Sequence, residues 1–472
     1  MLLARKQIRL NAVDMMCMGC TPGIWTHPRD QSGGYNSLKY WTELAKTLER
    51  GKFDGIFIAD IFGIYDVYRG GPAAAFSNAV EFPVCDPMMV VPAMALVTEH
   101  LGFGVTGTVT YEVPYSFARR VSTLDHLTQG RFAWNIVTGY LESAARAFGL
   151  KEQLSHDERY DKADEYMEVM YKLWEGSWED DAVRRDKSGG VFAIPEKIHR
   201  MKHKGRWYEM DAYHICEPSP QRTPLLFQAG SSNRGRDFAA KHAECVFLGG
   251  QTRAAVARAV ADIRRRAVLQ GRDSASVLVF TALTVIVAPT DEEARAKHED
   301  YRRHVNIEGT LALLSGYAGV DFSTFDLDAP IPHFKSKGIQ SLVEGDGLPD
   351  PTREWTLREV ALQAGVGGSG PKEVGSPQTI ADALERWMAE TDIDGFNLVY
   401  AVTPGDSEDF VNLVVPELQR RGIYKTEYAP GTLREKLYGA GNRHLRRDHP
   451  GAAYRHRSDS TLSSRPPFPP ES

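Results

Sequence analysis

Two segments of the chain pair anion-friendly backbone with polar side chains. His156-Asp-Glu-Arg-Tyr160 opens an amphipathic run, so its first backbone N–H groups lack helical partners and sit at a positive dipole end. Such an end suits a phosphate, and His156 and Tyr160, four residues apart, share a face from which both could reach it. Asp157 and Glu158 in the same turn would repel an anion and fit an ordinary helix start equally well. Gln228-Ala-Gly-Ser-Ser-Asn-Arg-Gly235 leaves an apolar run into a second helix. Its small residues and the hydroxyls of Ser231 and Ser232 allow close approach to a phosphate, while either serine would also serve as a plain N-cap. The segment is neither a Walker loop nor a G-x-G-x-x-G fingerprint.

Other polar groups fall at the ends of apolar runs. Asp60 ends one, as a ligand to a polar partner or as a loop cap. Trp134-Asn-Ile-Val-Thr138 ends another, and Asn and Thr there offer donors and acceptors to a polar heteroaromatic ring, or else satisfy the core. Cys17-Met-Gly-Cys20 is a lone C-x-x-C without a second cysteine pair or a histidine at ligand spacing, which argues for pocket-lining thiols over zinc or a redox pair. No Ser-His-Asp arrangement or H-E-x-x-H helix is present, and strand ends rich in aromatics and carboxylates, as sugar hydrolysis needs, are missing.

The elements that must hold these groups alternate. Short β-rich runs at 8–15, 53–60, 103–110, 132–138, 225–230, 245–248, 277–287 and 396–400 are separated by helical patterns starting near Leu38, Pro87, Tyr115, Asp157, Asn233, Arg253, Asp291, Thr379 and Asp409. Several runs are continuously apolar, as a parallel sheet covered by helices requires. The expected architecture is α/β, a (β/α)₈ TIM barrel, with a doubly wound open sheet as the alternative. A bare barrel takes roughly 250 residues, so a 472-residue chain carries insertions, read at 61–86, 178–223 and 305–376. They are expected at the C-terminal rim as lids or binding loops. The barrel is expected over 1–440, and 441–472, rich in Arg, Ser and Pro, is expected to be a disordered tail.

A net charge of −6 argues against a nucleic-acid partner. The apolar stretches are too short to span a bilayer, no secretory leader is recognisable, and five scattered cysteines suit a reducing cytoplasm.

Six segments together resemble the bacterial-luciferase-like flavin-dependent monooxygenases, in the branch holding the nitrilotriacetate, dibenzothiophene-sulfone, dimethyl sulfide and long-chain alkane enzymes. They are Leu48-Glu-Arg-Gly-Lys-Phe-Asp54, Ser122-Thr-Leu-Asp-His-Leu-Thr128, Trp134-Asn-Ile-Val-Thr138, His156-Asp-Glu-Arg-Tyr160, Glu217-Pro-Ser-Pro-Gln221 and Val415-Pro-Glu-Leu-Gln419. The resemblance spans roughly residues 8–439. It implies a luciferase-like barrel using reduced FMN as a diffusible co-substrate, from a separate NAD(P)H:flavin reductase, with O2. By the same resemblance Asp60, Thr106, Thr138, His156, Tyr160, Ser231 and Ser232 would contact FMN, and Cys17, Tyr65 and Tyr140 would face the substrate.

The pattern of the alkane enzymes has histidines where this chain has Cys20, Tyr140 and Leu313, and a glutamine where it has Glu81. Losing those imidazoles turns the expectation from alkanes toward a small organosulfur compound, with C–S or C–N cleavage. Oxidative cleavage of a larger heteroaromatic such as riboflavin, or long-chain alkane hydroxylation, is the alternative, and a flavin-binding protein without turnover is a reading of another class. The family further implies a homodimer or homotetramer.

Overall fold

The computed structural model describes residues 6–230, 232–330 and 353–456. Each of the eight apolar runs is a strand: β1 (Arg9–Met15), β2 (Gly55–Ala59), β3 (Gly102–Thr108), β4 (Phe132–Val137), β5 (Leu225–Gln228), β6 (Cys245–Leu248), β7 (Leu278–Val287) and β8 (Gly395–Val399). All pair in parallel in chain order. Arg9–Val13 of β1 pairs with Gly395–Val399 of β8, which closes the barrel and excludes the open sheet. Every residue of β3 and β7 is buried, as strands enclosed on both faces require.

The outer layer contains α1 (Leu38–Arg50), α2 (Val91–Leu96), α3 (Pro114–Leu127), α4 (His156–Tyr171), α5 (Asn233–His242), α6 (Arg253–Leu269), α7 (Asp291–Arg303), α8 (Ile307–Ala318) and α9 (Pro377–Thr391). Trp41, Leu44, Ala45 and Leu48 of α1 are buried at helical spacing, so one stripe of that helix faces the sheet. Thr290 and Glu293 form a capping box that starts α7 directly after β7. Among the described residues no helix is long and apolar enough to cross a membrane.

Most of the quoted motifs secure the N-terminal end of the barrel. Asp125 accepts from the Gln221 backbone N–H (2.9 Å) and from its amide (2.7 Å), and that amide also donates to Phe132 at the start of β4. Asp54 accepts from Leu10 N–H at the start of β1 and pairs with Lys425. Their chemistry is structural, and the opposite end is left for ligands.

The insertions divide. Residues 61–86 follow β2, and Ile61, Phe62, Gly63 and Glu81 among them line the cavities at the C-terminal rim. Residues 178–223 do not: they follow α4 and a π-turn at Lys172–Gly176, not a strand. They form two antiparallel ribbons, Val183–Asp186 with Val191–Ala193 and Met201–Lys204 with Glu209–Ala212. The second ribbon is pinned to the flank of α4, because the Glu165 carboxylate accepts from three consecutive N–H groups, Arg206 to Tyr208. Residues 305–376 follow α7, yet their helix α8 returns over the rim against 61–86. Residues 331–352, read as part of that insertion, lie outside the described residues. A further strand, Lys372–Gly375, pairs with Thr284–Val287 of β7. Lys-Glu-Val-Gly has no apolar run that could announce it.

The tail expectation is corrected for 441–456. Pro450–Tyr454 is a 3-10 turn, His449 Nε2 lies 2.8 Å from His242 O, and Arg455 pairs with Asp180. Those contacts outweigh a polar composition. Residues 457–472 lie outside the described residues.

Candidate functional site

Two adjoining cavities open at the C-terminal rim, of about 280 Å³ and about 720 Å³. Asp60, Tyr140 and Ser232 line both, so the two form one continuous cleft of ligand-pocket size.

The smaller cavity is built by α4, the β4 end and the β5–α5 turn. His156, Arg159 and Tyr160 project from the first turn of α4, and Gln228, Gly230 and Ser232 from the turn after β5. The Ser232 hydroxyl accepts from Gly235 N–H (3.0 Å) and caps α5, while the residue still borders the cavity. A side chain at Gly235 would stand 2.7 Å from the Tyr160 hydroxyl and one at Gly230 2.6 Å, so glycine at both positions lets Tyr160 reach into the turn. Ser231 lies outside the described residues. His156 Nδ1 lies 2.8 Å from Asp157 Oδ1, and its ring meets Tyr160 edge-on.

Sequence reasoning missed Arg159. The residue is 6% exposed, its Nη1 donates to Leu154 O, and its buried Nε has no hydrogen-bond partner. Among the described residues no carboxylate pairs with it. Burial without an anion therefore holds its pKa below the usual arginine value. Its spacing beside Tyr160 was the only signal, since an arginine in a helix is otherwise read as solvated.

The larger cavity runs across the strand ends of β2, β3 and β4. Thr106 Oγ1 accepts from the Asn135 amide (2.9 Å), and the Asn135 carbonyl oxygen is buried without a partner, as is that of Gln228 in the smaller cavity. Asp60 sits where the two cavities meet. Burial, reinforced by Asp86, lifts its carboxyl to about 7. Thr138 lines the smaller cavity and Thr106 the larger. Orphaned acceptors beside a polar ring and an unpaired buried cation beside a phosphate are the complementary groups FMN needs.

The three residues expected at the substrate separate. Tyr140 lines both cavities. Tyr65 is fully buried behind it, within hydrogen-bond reach. Cys17 lines neither cavity; it bridges to Val84 and its thiol donates to Gly19 O, while Cys20 borders a separate pocket of about 20 Å³. Tyr317, on α8, joins this wall from 177 residues further along the chain than Tyr140, which sequence proximity could not reveal.

One described His/Asp group, His27, Asp300 and His304, has ligand atoms within 4.8 Å of one another. His27 Nδ1 accepts the Arg29 N–H, so its proton sits on Nε2, facing Asp300. A metal-bound imidazole has the reverse arrangement, donating from the remote nitrogen. The group is better described as hydrogen-bonded surface.

Residues 18–395 match the luciferase-like monooxygenase family model. The chain belongs to that family. This luciferase-like monooxygenase is 50% identical over 452 residues to the dimethyl-sulfide monooxygenase of Hyphomicrobium sulfonivorans, covering 96% of this chain and 94% of that one. The crystal structure of that relative superposes with a TM-score of 0.90 and covers 95% and 96% of the two chains. The long-chain alkane monooxygenase of Geobacillus thermodenitrificans is 48% identical over 457 residues, covering 96% and 99%. A riboflavin lyase crystallised with modified FMN and substrate riboflavin has a TM-score of 0.89 at 38% identity, covering 96% and 100%. The protein is thus a flavin-dependent oxygenating enzyme on a luciferase-like barrel.

Proposed function

We propose that the enzyme uses reduced FMN, delivered by a separate NAD(P)H:flavin reductase, and O2 to oxygenate a small organosulfur compound, with C–S or C–N cleavage. The unpaired, buried Arg159 guanidinium beside Tyr160 and the α5 N-terminus carries this reading, because it needs an anion and a flavin phosphate supplies one. His156, Arg159, Tyr160 and Ser232 hold the phosphate, with Ser231 beside them in sequence. Asp60, Thr106, Asn135 and Thr138 receive the polar edge of the ring. Bound reduced FMN supplies the electrons that activate O2. The protein excludes water, fixes the ring and presents Tyr65 and Tyr140, with Cys17 further back, on the substrate side.

A relative named for dimethyl sulfide supports the organosulfur choice. The name component A, carried by a nitrilotriacetate monooxygenase 37% identical over 441 residues, supports a separate reductase. A second reading, cleavage of a heteroaromatic such as riboflavin, is favoured by the larger cavity of about 720 Å³.

The experiment supplies reduced FMN from a reductase under O2 and screens sulfides, sulfones, alkanes, aminopolycarboxylates and riboflavin. Oxygenated sulfide is expected. If nothing is oxygenated and reduced FMN binds no better than oxidised FMN, the reading fails.

A further inference from the structure

Behind Tyr140 runs a chain of hydrogen bonds that flavin binding does not require. The Glu81 carboxyl is held at both oxygens: Tyr65 Oη lies 2.6 Å from Oε2 and Tyr317 Oη 2.9 Å from Oε1. Tyr65 Oη also lies 2.6 Å from Tyr140 Oη. Glu81, Tyr140 and Tyr317 border the larger cavity, and Tyr65 does not. Tyr65 can stand there because Gly316 of α8 has no side chain; a Cβ at that position would run into its ring. Glu81 itself holds a left-handed φ of 45°, a strained conformation for a residue with a side chain.

Proton counting gives this chain two states. Each phenol has one proton to donate. With Glu81 ionised, Tyr317 and Tyr65 both donate to it, Tyr140 donates to Tyr65, and Tyr140 shows the cavity only lone pairs. With Glu81 protonated on Oε2, it donates to Tyr65, Tyr65 donates to Tyr140, and Tyr140 points its O–H into the cavity. One proton on Glu81 thus reverses the polarity of the cavity wall.

We propose that Glu81, Tyr65 and Tyr140 form a proton relay that delivers the Glu81 proton to a substrate oxygen gaining negative charge against Tyr140. The relay rests on the oxygenase reading of the cleft. Tyr65 takes the Glu81 proton and passes its own to Tyr140, which passes its own to the acceptor. Three O–H bonds break, three form, and no electrons are exchanged. Glu81 is left as a carboxylate bonded to two phenols, and water entering the cavity after product leaves restores its proton.

Burial raises the Glu81 carboxyl against the lowering effect of its two phenol bonds, a direction that favours the protonated form the relay starts from. The titratable groups facing it are Tyr65, Tyr317 and Tyr140, with the Cys17 and Cys20 thiols behind. Among the described residues no lysine or arginine forms an ion pair with it. Tyr140 touches the substrate; Glu81 and Tyr65 act through it.

The test begins on the flavin-free protein. Infrared spectra recorded against pH should show a protonated-carboxyl stretch that titrates above the ordinary carboxylate range and is missing in Glu81→Gln. In Tyr65→Phe the same band should persist at a shifted position. Coupled turnover of Glu81→Gln, which keeps the shape but has no proton to release, should fall roughly 100-fold in kcat with KM little changed. Its pH profile should lose the limb that follows Glu81. A wild-type spectrum from which Glu81→Gln removes no protonated-carboxyl band, or a Glu81→Gln enzyme with wild-type kcat and pH profile, overturns the relay. If the wild type oxygenates no substrate, the oxygenase reading falls, and the infrared titration still decides whether Glu81 carries the proton.

Discussion

The two ends of the cleft are built on opposite principles. The α4 and α5 end is cationic and donor-rich, assembled from helix starts that follow β4 and β5, and its central charge, Arg159, has no paired carboxylate among the described residues. The Glu81 end is neutral in character and self-satisfied, with each phenol of Tyr65 and Tyr317 bonded to the carboxyl. An end left unpaired is made to receive a charged ligand; an end paired internally is made to keep a geometry and move a proton. The first binds and the second positions.

That contrast can be broken in four ways. Arg159→Met should weaken FMN binding by roughly tenfold to a hundredfold, the worth of a hydrogen bond to a charged group, and leave riboflavin binding nearly unchanged. Equal losses for FMN and riboflavin, measured by fluorescence titration, would remove the phosphate from that end. Gly316→Ala should cost about 1–3 kcal/mol by driving a methyl into the Tyr65 ring, read as a lower denaturation midpoint. An unchanged midpoint would show that Tyr65 has room to move, and with it the relay. Tyr160→Phe should cost about 1 kcal/mol of FMN affinity through one lost hydroxyl contact; unaltered affinity would take Tyr160 out of the phosphate site.

The smallest effect concerns Asp60, where the ends meet. Its carboxyl rises from 3.8 to about 7 in the folded protein. A raised carboxyl favours the fold below its unfolded value and loses that contribution as pH climbs through about 7. Melting temperature should therefore fall between about pH 4 and about pH 7, the window between the ordinary value and the raised one. Asp60→Asn should flatten part of the fall. Identical slopes in the two proteins would show that Asp60 does not titrate there.

The barrel strands and the helix starts at α4 and α5 were legible because they are local. A continuous apolar run reads as an enclosed parallel strand, and His156 and Tyr160 mark one turn of one helix whatever surrounds it. Cys17 is the instructive case. Its position just beyond β1 points to the rim, yet backbone pairing with Val84 turns it away from both cavities. The ribbons at 178–223 were misplaced for a similar reason, since composition marks an insertion but not whether a strand or a helix precedes it.

The sequence by itself determined eight enclosed strands alternating with helices, the family, and a helix start near His156, while barrel closure waited on the pairing of β1 with β8. Each of these depends on periodicity or on neighbours within a turn. Tertiary structure alone decided that Arg159 is buried with no carboxylate paired to it among the described residues and that Glu81, Tyr65, Tyr140 and Tyr317 meet. Those residues come from three segments far apart in the chain. The Tyr317 bond to Glu81 exists only because α8 folds back across the rim onto 61–86, a contact between distant segments that no local pattern encodes.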